Sequence, residues 1–295
     1  MRGLRLALAV ALVAPASLVI AGSAASIAPP HPACAPLSPG DHLLAVSGDH
    51  PPVLVHVPPA GGSRRALVLA LPGAGQTGRD FANYTGYSHL ADLRGFSVAY
   101  PTATGTRPFW NVSGTMRGKP DDVAYLRAVI PAVTTATCAD ARRVGATGVS
   151  NGGGMTGRLA CDASDLIAAA APVAGGYSTL PYCRPAQPVA LLEVHSLTDY
   201  TVPYGGRGAT HAGDVTHYVT RWRRIDACPG TRIAPSSPAP GVTEWQWRGC
   251  AGGTAVIHDR IVGAEHGWPG EDDVRPGREF SSTRRTWAFL SAFRR

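Results

Sequence analysis

Short unbroken apolar runs recur along this chain, and stretches with helical spacing fall between them. The segments 53–57, 66–71, 96–100, 143–149, 167–174, 189–194 and 255–262 read as β-strands, because short apolar runs bounded by Gly, Pro and polar residues suit strands buried on both faces. Between them, 121–133 carries Val123, Leu126 and Ile130 at helical spacing in spite of Pro131, and 153–161 reads as the helix behind the 143–149 strand. Val215, Val219 and Trp222 share one helical face, and 287–293 reads as a closing helix. Strands therefore alternate with helices. That alternation predicts an α/β fold with a mostly parallel central sheet, helices on both faces and reactive groups in the loops at the carboxyl ends of strands. The Pro-rich stretch 235–240 is too short for an interdomain linker and no internal repeat is present, so 41–295 is expected to be one domain behind a Pro-rich segment, 26–40.

The first residues change the expected setting. Arg2 and Arg5 precede apolar runs at 6–14 and 18–21 and a tail of small residues, the pattern of a secretory leader spanning 1–25. Pro15 inside the run argues against a stable membrane-spanning helix, so no stable membrane insertion is expected and the mature chain is placed outside the cell. The cysteines, Cys34, Cys138, Cys161, Cys183, Cys228 and Cys250, all follow the leader, and an even number in an exported chain favours disulfides over metal sites. Free buried thiols are the alternative, and spacing alone does not choose the connectivity.

Composition narrows the partners. Apolar residues at 44% and charged residues at 16% are ordinary for a globular protein, which excludes disorder and fibrous repeats in spite of 35 Gly and 26 Pro. The formal net charge is +7, yet the basic residues are arginines apart from Lys119 and form no short cluster interleaved with aromatics. A solvated basic surface fits better than a nucleic-acid groove. No His-x-x-x-His or His-x-x-Glu-His spacing is present, so neither a metal nor another cofactor is expected.

The candidate chemistry starts at Gly148-Val149-Ser150-Asn151-Gly152. Placed between a strand and a helix, Gly-x-Ser-x-Gly sets the serine on a strained turn that presents its hydroxyl, with the glycines letting strand and helix pass closely. A serine hydroxyl needs a base, and the base an orienting carboxylate. Asp199 follows the 189–194 strand and His266 follows the 255–262 strand, giving the order Ser, acid, His. His195, beside a strand end, reads as structural support for the acid loop, His258 lies inside a strand, and His211 and His217 lie near a helix start. Asp214 and Asp226 read as the cap and the solvated end of that helix. For an oxyanion, the backbone N–H groups of Asn151 and Ala74 are the expected donors, with Gly75 the alternative to Ala74. Trp110, Tyr200 and Trp268 are expected as aromatic walls for substrate. The sequons at Asn83 and Asn111 read as chance.

With these motifs in view, the chain resembles the secreted polyhydroxybutyrate depolymerase and feruloyl esterase family of α/β-hydrolases. The resemblance rests on Gly148 to Met155 (GVSNGGGM), His195 to Gly206 (HSLTDYTVPYGG) and Glu265 to Gly270 (EHGWPG), supported by Phe109-Trp110-Asn111, Asp121-Asp122-Val123 and the Cys228 to Cys250 segment. It extends from about residue 40 to 290. The chain departs from the family at Pro72-Gly73, where His-Gly is usual, and at His195-Ser196-Leu197, where His-Gly-Thr is usual. The resemblance implies a serine carboxylic-ester hydrolase with Ser150 as nucleophile, Asp199 as acid and His266 as base, working through an acyl-enzyme on a small-molecule or polymeric ester; a monomer is expected. Soluble feruloyl, acetyl or short-chain esters are expected ahead of polyester, because no linker or separate polymer-holding module is read. The alternatives are polyhydroxybutyrate depolymerisation, acyl transfer by the same triad, and a non-catalytic binding protein. Cys228 and Cys250 are expected to pair, because the segment between them reads as a strand-bearing excursion with Trp245 and Trp247 on one face.

Overall fold

In chain order the strands are β1 (Gly40–Leu44), β2 (Val53–Val57), β3 (Arg65–Leu71), β4 (Ser97–Tyr100), β5 (Ala139–Val149), β6 (Ala169–Val173), β7 (Ala190–Ser196), β8 (Ile233–Ser236), β9 (Val242–Arg248) and β10 (Ala255–Ile261). They form one sheet in the order β1-β2-β4-β3-β5-β6-β7-β10-β9-β8. The strands β4, β3, β5, β6, β7 and β10 are parallel, and antiparallel pairs extend the sheet at both ends. The structure is a computed structural model that describes residues 34–46, 49–59, 64–177, 180, 183–206, 213–230, 233–270 and 280–295. The leader read over 1–25, most of the Pro-rich segment and His211 lie outside the described residues.

Successive strand residues point to opposite faces, so a continuous apolar run fills two cores. On one face Leu67, Leu69 and Leu71 of β3 join Leu126 of α3 (Asp122–Thr137), Leu159 of α4 (Asn151–Asp162) and Trp222 of α5 (Val215–Ile225). On the other, Ala66, Val68 and Ala70 meet Phe81 of α1 (Gly78–Thr85), Leu90 of α2 (Tyr87–Arg94) and Leu290 of α6 (Ser282–Leu290). The mostly parallel sheet with helices on both faces matches the expected class.

The boundaries differ where packing outweighs local signals. α3 runs through Pro131 to Thr137, because Leu126, Val129, Ile130 and Val133 bury a continuous apolar face. An interior proline costs roughly 3 kcal/mol, less than such a face recovers. α6 starts at Ser282 rather than 287, capped by the Ser281 side chain accepting from the Arg284 N–H. Three disulfides, Cys34–Cys138, Cys161–Cys183 and Cys228–Cys250, use every cysteine, and the last is the expected pair. Among the described residues, no helix is long and apolar enough to cross a membrane.

Candidate active site

β5 ends at Val149 and α4 begins at Asn151, leaving Ser150 on the turn between them with φ 55° and ψ −118°. A side chain in that region carries strain on the order of 1–3 kcal/mol, tolerated where the surroundings over-determine the backbone. Here the Ser150 N–H donates to the Val173 carbonyl at 3.0 Å, and the Ser150 carbonyl accepts from the Gly154 N–H at 2.9 Å. The flanking glycines are sterically required. A Cβ on Gly148 would stand 2.6 Å from the Leu71 carbonyl oxygen, and one on Gly152 would stand 2.1 Å from the same atom.

The loop after β3 runs beside this turn. Its N–H groups are largely engaged: Gly73 donates to Gln76 Oε1 at 3.0 Å, Gly75 to the Pro108 carbonyl at 2.7 Å and Gln76 to the Gly73 carbonyl at 3.2 Å. Gly75 is therefore not available as the alternative donor, whereas Ala74 is exposed and has no N–H partner among the described residues. The Asn151 N–H, in the first turn of α4, has no carbonyl four residues back within the helix. Its side chain is braced instead, with Oδ1 accepting from the Trp110 N–H at 2.7 Å and Nδ2 donating to the Trp110 carbonyl at 3.1 Å.

Trp110 corrects an expectation. Only 1% exposed, it donates its indole N–H to the Pro72 carbonyl at 3.0 Å, so it ties the β3 loop to the serine turn rather than offering a face to substrate. Its own loop is pinned by Asp122, which accepts from the Asn111 N–H at 2.6 Å and pairs with His50 at 2.8 Å. Asn111 is buried, so its sequon offers no glycan acceptor.

Asp199 and His266 meet at the ends of β7 and β10. His266 Nδ1 lies 2.7 Å from Asp199 Oδ2, while Asp199 Oδ1 accepts from the N–H groups of Thr201 at 2.9 Å and Val202 at 2.8 Å. Burial by itself would raise the Asp199 carboxyl, but His195, His266 and the Val202 N–H outweigh it and hold the group well below the usual carboxylate range. The two loops are laced together, because the Ser196 and Thr198 hydroxyls both donate to the Ala264 carbonyl, at 2.6 and 2.9 Å. Trp268 is a second correction. It is 1% exposed, packs edge-on against Phe81 and donates its indole N–H to Thr283 at 2.8 Å, so it anchors the base loop and walls nothing. Tyr200, by contrast, stands 91% exposed beside Asp199.

Behind Asp199 the structure joins His195 and His258 to Glu193, which the sequence reading did not single out. Glu193 of β7 is fully buried and pairs in register with His258 of β10. Glu193 Oε1 accepts from the Tyr177 hydroxyl and lies 2.9 Å from His195 Nδ1, while Oε2 lies 2.8 Å from His258 Nδ1. His195 is inside β7, and its Nε2 lies 2.9 Å from the Val202 carbonyl and 3.5 Å from Asp199 Oδ2. A glutamate and two histidines inside otherwise apolar runs were the available signal. Around α5, Asp214 is the expected cap, accepting from the His217 N–H. Asp226 is a correction: it is 0% exposed rather than a solvated end, with its carboxylate facing the Thr254 hydroxyl.

A strained serine between a parallel strand and its following helix, with an acid and a histidine on loops after later strands, defines an α/β-hydrolase. Residues 53–180 match the family model described as esterase PHB depolymerase. The chain belongs to the polyhydroxybutyrate depolymerase and feruloyl esterase family of α/β-hydrolases. It is 31% identical to feruloyl esterase B of Piromyces equi over 58% of this chain, and 30% identical to the putative esterase NocK of Nocardia uniformis subsp. tsuyamanensis over 70%. It spans 33% of the first protein's length and 66% of the second's. Among solved structures, an acetyl xylan esterase from Aspergillus awamori shares the fold at a TM-score of 0.60 and 16% identity, with 77% of this chain and 94% of that one covered.

Proposed function

We propose that this protein is a secreted serine carboxylic-ester hydrolase in which Ser150 attacks the ester carbonyl, His266 takes the Ser150 proton and Asp199 orients His266. The observation that carries this reading is the His266–Asp199 hydrogen bond at the ends of β7 and β10, in the same fold as the strained serine turn. Asp199 Oδ2 fixes the tautomer, because a proton on Nδ1 leaves Nε2 as the basic nitrogen. The N–H groups of Asn151 and Ala74 receive the oxyanion of the tetrahedral intermediate, and His266 then returns its proton to the leaving alcohol. Water repeats the sequence on the acyl-enzyme, releasing the acid and regenerating Ser150. Three disulfides fit an extracellular setting.

Within that class, soluble esters with an aromatic or short acyl group are the favoured substrates. Exposed Tyr200 next to Asp199 supplies an aromatic face on which a planar acyl group could stack, and relatives include enzymes named as feruloyl esterases. Polyester depolymerisation is the second reading, favoured by the description of the matching family model. A fluorophosphonate probe followed by peptide mapping tests the nucleophile, and a panel of methyl ferulate, acetylated xylan, short p-nitrophenyl esters and polyhydroxybutyrate granules tests the substrate. Labelling at Ser150 with turnover of the soluble esters is expected. Efficient clearing of granules without turnover of methyl ferulate or acetylated xylan reverses the ranking.

A further inference from the structure

Hydrolysis as just described makes no use of Glu193, His195 and His258, although they are buried directly behind the acid. Burying three titratable side chains on one face of two neighbouring strands is unfavourable unless each finds partners. The partners found here are unequal. His258 has a hydroxyl to share, with its Nε2 2.8 Å from the Tyr204 oxygen. Both nitrogens of His195 face acceptors: the Val202 carbonyl can only accept, and Glu193 Oε1 already takes the Tyr177 hydroxyl as a carboxylate does. An imidazole whose two nitrogens both donate is an imidazolium.

We propose that His195 is a positioning residue, a permanently charged imidazolium held by Glu193, whose Nε2–H clamps the Val202 end of the acid loop and whose charge stands beside Asp199 Oδ2. The proposal rests on the reading of Asp199 and His266 as acid and base. Asp199 Oδ2 is shared: His266 Nδ1 lies 2.7 Å from it and His195 Nε2 3.5 Å from it. A fixed cation beside that oxygen competes with His266 for the Asp199 charge. The clamp also carries geometry, since the Val202 N–H is one of the two donors that fix Asp199 Oδ1.

The surrounding charges agree with this assignment. Burial alone would strip His195 of its proton, but the Glu193 charge and the bonds to Asp199, Glu193 and Val202 hold it well above the usual histidine range. Burial opposes ionisation of Glu193, and His195 and His258 hold it well below the usual carboxylate range. Arg260 lies beside His195 in the strand register with its guanidinium over Trp245, and the Tyr204 ring meets His195 edge-on at 6.0 Å. Tyr218 of α5 stacks on Tyr177 at 3.7 Å, and Asp214 caps the same helix. On the His266 side, Glu265 is its exposed neighbour and the Tyr84 hydroxyl accepts from the Trp268 N–H. Glu193 and Asp199 are thus the carboxylates in contact with the His195 ring.

Two variants separate clamp from charge. His195→Gln retains a donor for the Val202 carbonyl and loses the charge, so its plateau kcat stays within about threefold while the acid limb of kcat/KM moves up by about half a pH unit, roughly a threefold further loss on the acid side. His195→Ala loses both, so the limb moves equally and kcat drops about tenfold or more with KM nearly unchanged. Glu193→Gln removes the counter-ion that keeps His195 charged and moves the limb the same way. On the unmutated chain, ring nitrogen NMR is expected to show both His195 nitrogens protonated from pH 5 to pH 9. A neutral His195 at pH 8 overturns the proposal even if every variant misfolds, and so does an unmoved limb in folded variants. Fluorophosphonate labelling of Ser150 in the same samples tells failure of this inference from failure of the hydrolase reading.

Discussion

Gly152 has no room for a side chain: a Cβ there would lie 2.1 Å from the Leu71 carbonyl oxygen and 2.4 Å from that of Pro72. Those carbonyls belong to the end of β3 and the loop that carries Ala74, so the second glycine of the motif sets the spacing between the Ser150 turn and the loop with the proposed oxyanion donor Ala74. Gly152→Ala is expected to push α4 away from β3 and to remove at least 99% of turnover, with stability lowered by about 1–3 kcal/mol as overpacking does. Thermal unfolding and kcat/KM measured together check it. A stable Gly152→Ala enzyme with near-normal turnover shows that the close approach is not required.

Ser150→Ala separates chemistry from fold. The hydroxyl makes no hydrogen bond among the described residues, and alanine is no larger, so the variant is expected to match the parent in unfolding temperature. Turnover should fall on the order of 10⁶-fold, as in comparable triads. Retention of more than a few per cent of activity in a folded variant removes Ser150 from its role.

How much of this was legible follows from what each residue's neighbours reveal. The strands β2, β3, β4, β6, β7 and β10 were readable because both faces are largely buried and apolar residues dominate the runs. β1 and β8 lie at the sheet edges with partly or fully exposed residues, so neither carries the buried apolar run that marks the central strands. α1 was signalled by Thr77-x-x-Asp80, which forms a capping box, but it is interrupted at Gly86 by a left-handed turn into α2 and is too short to show a period. Ser150, Asp199 and His266 could be proposed because chain order and strand ends constrain them. Trp110 and Trp268 are buried where exposed aromatic walls were expected, since nearness in sequence says nothing about which way an indole points. Glu193 went unread, and its pairing with His258 became visible only when the parallel register of β7 and β10 set them side by side.

The Cys228–Cys250 bond closes a loop with a sequence separation of 22, containing β8 and β9, and β9 pairs along the whole of β10. β10 delivers His266. Constraining such a loop in the unfolded chain contributes about 3 kcal/mol in the chain-entropy model. Cys228→Ser/Cys250→Ser is therefore expected to lower stability by about 2–4 kcal/mol and to lower activity less than stability at ordinary assay temperature. Peptide mapping without reduction comes first, because either cysteine found free or paired elsewhere removes the premise. Equal unfolding midpoints for parent and variant remove the conclusion.

Asp226 shows what a buried carboxylate does to the pH dependence of the fold. It ends α5 at 0% exposure, its Oδ2 accepts from the Thr254 hydroxyl at 3.3 Å, and its Oδ1 has no hydrogen-bond partner among the described residues. Burial pushes its carboxyl up from 3.8 to about 6, and the bonds from the Val189 N–H and the Thr254 hydroxyl offset this only in part. Because the folded value lies above the unfolded one, the native state binds this proton more tightly. The resulting stabilisation is full below the unfolded value and is lost as pH rises through about 6. Above that, the buried anion lowers stability by on the order of 2–3 kcal/mol relative to a group with no shift. Asp226→Asn keeps the shape and cannot ionise, so its advantage over the parent should be absent near pH 4 and reach about 5–10 °C in Tm by pH 8. Calorimetry of both proteins at pH 4, 6 and 8 reads this directly. A difference in Tm that stays constant across the three values, or shrinks as pH rises, means that Asp226 is not the group that titrates.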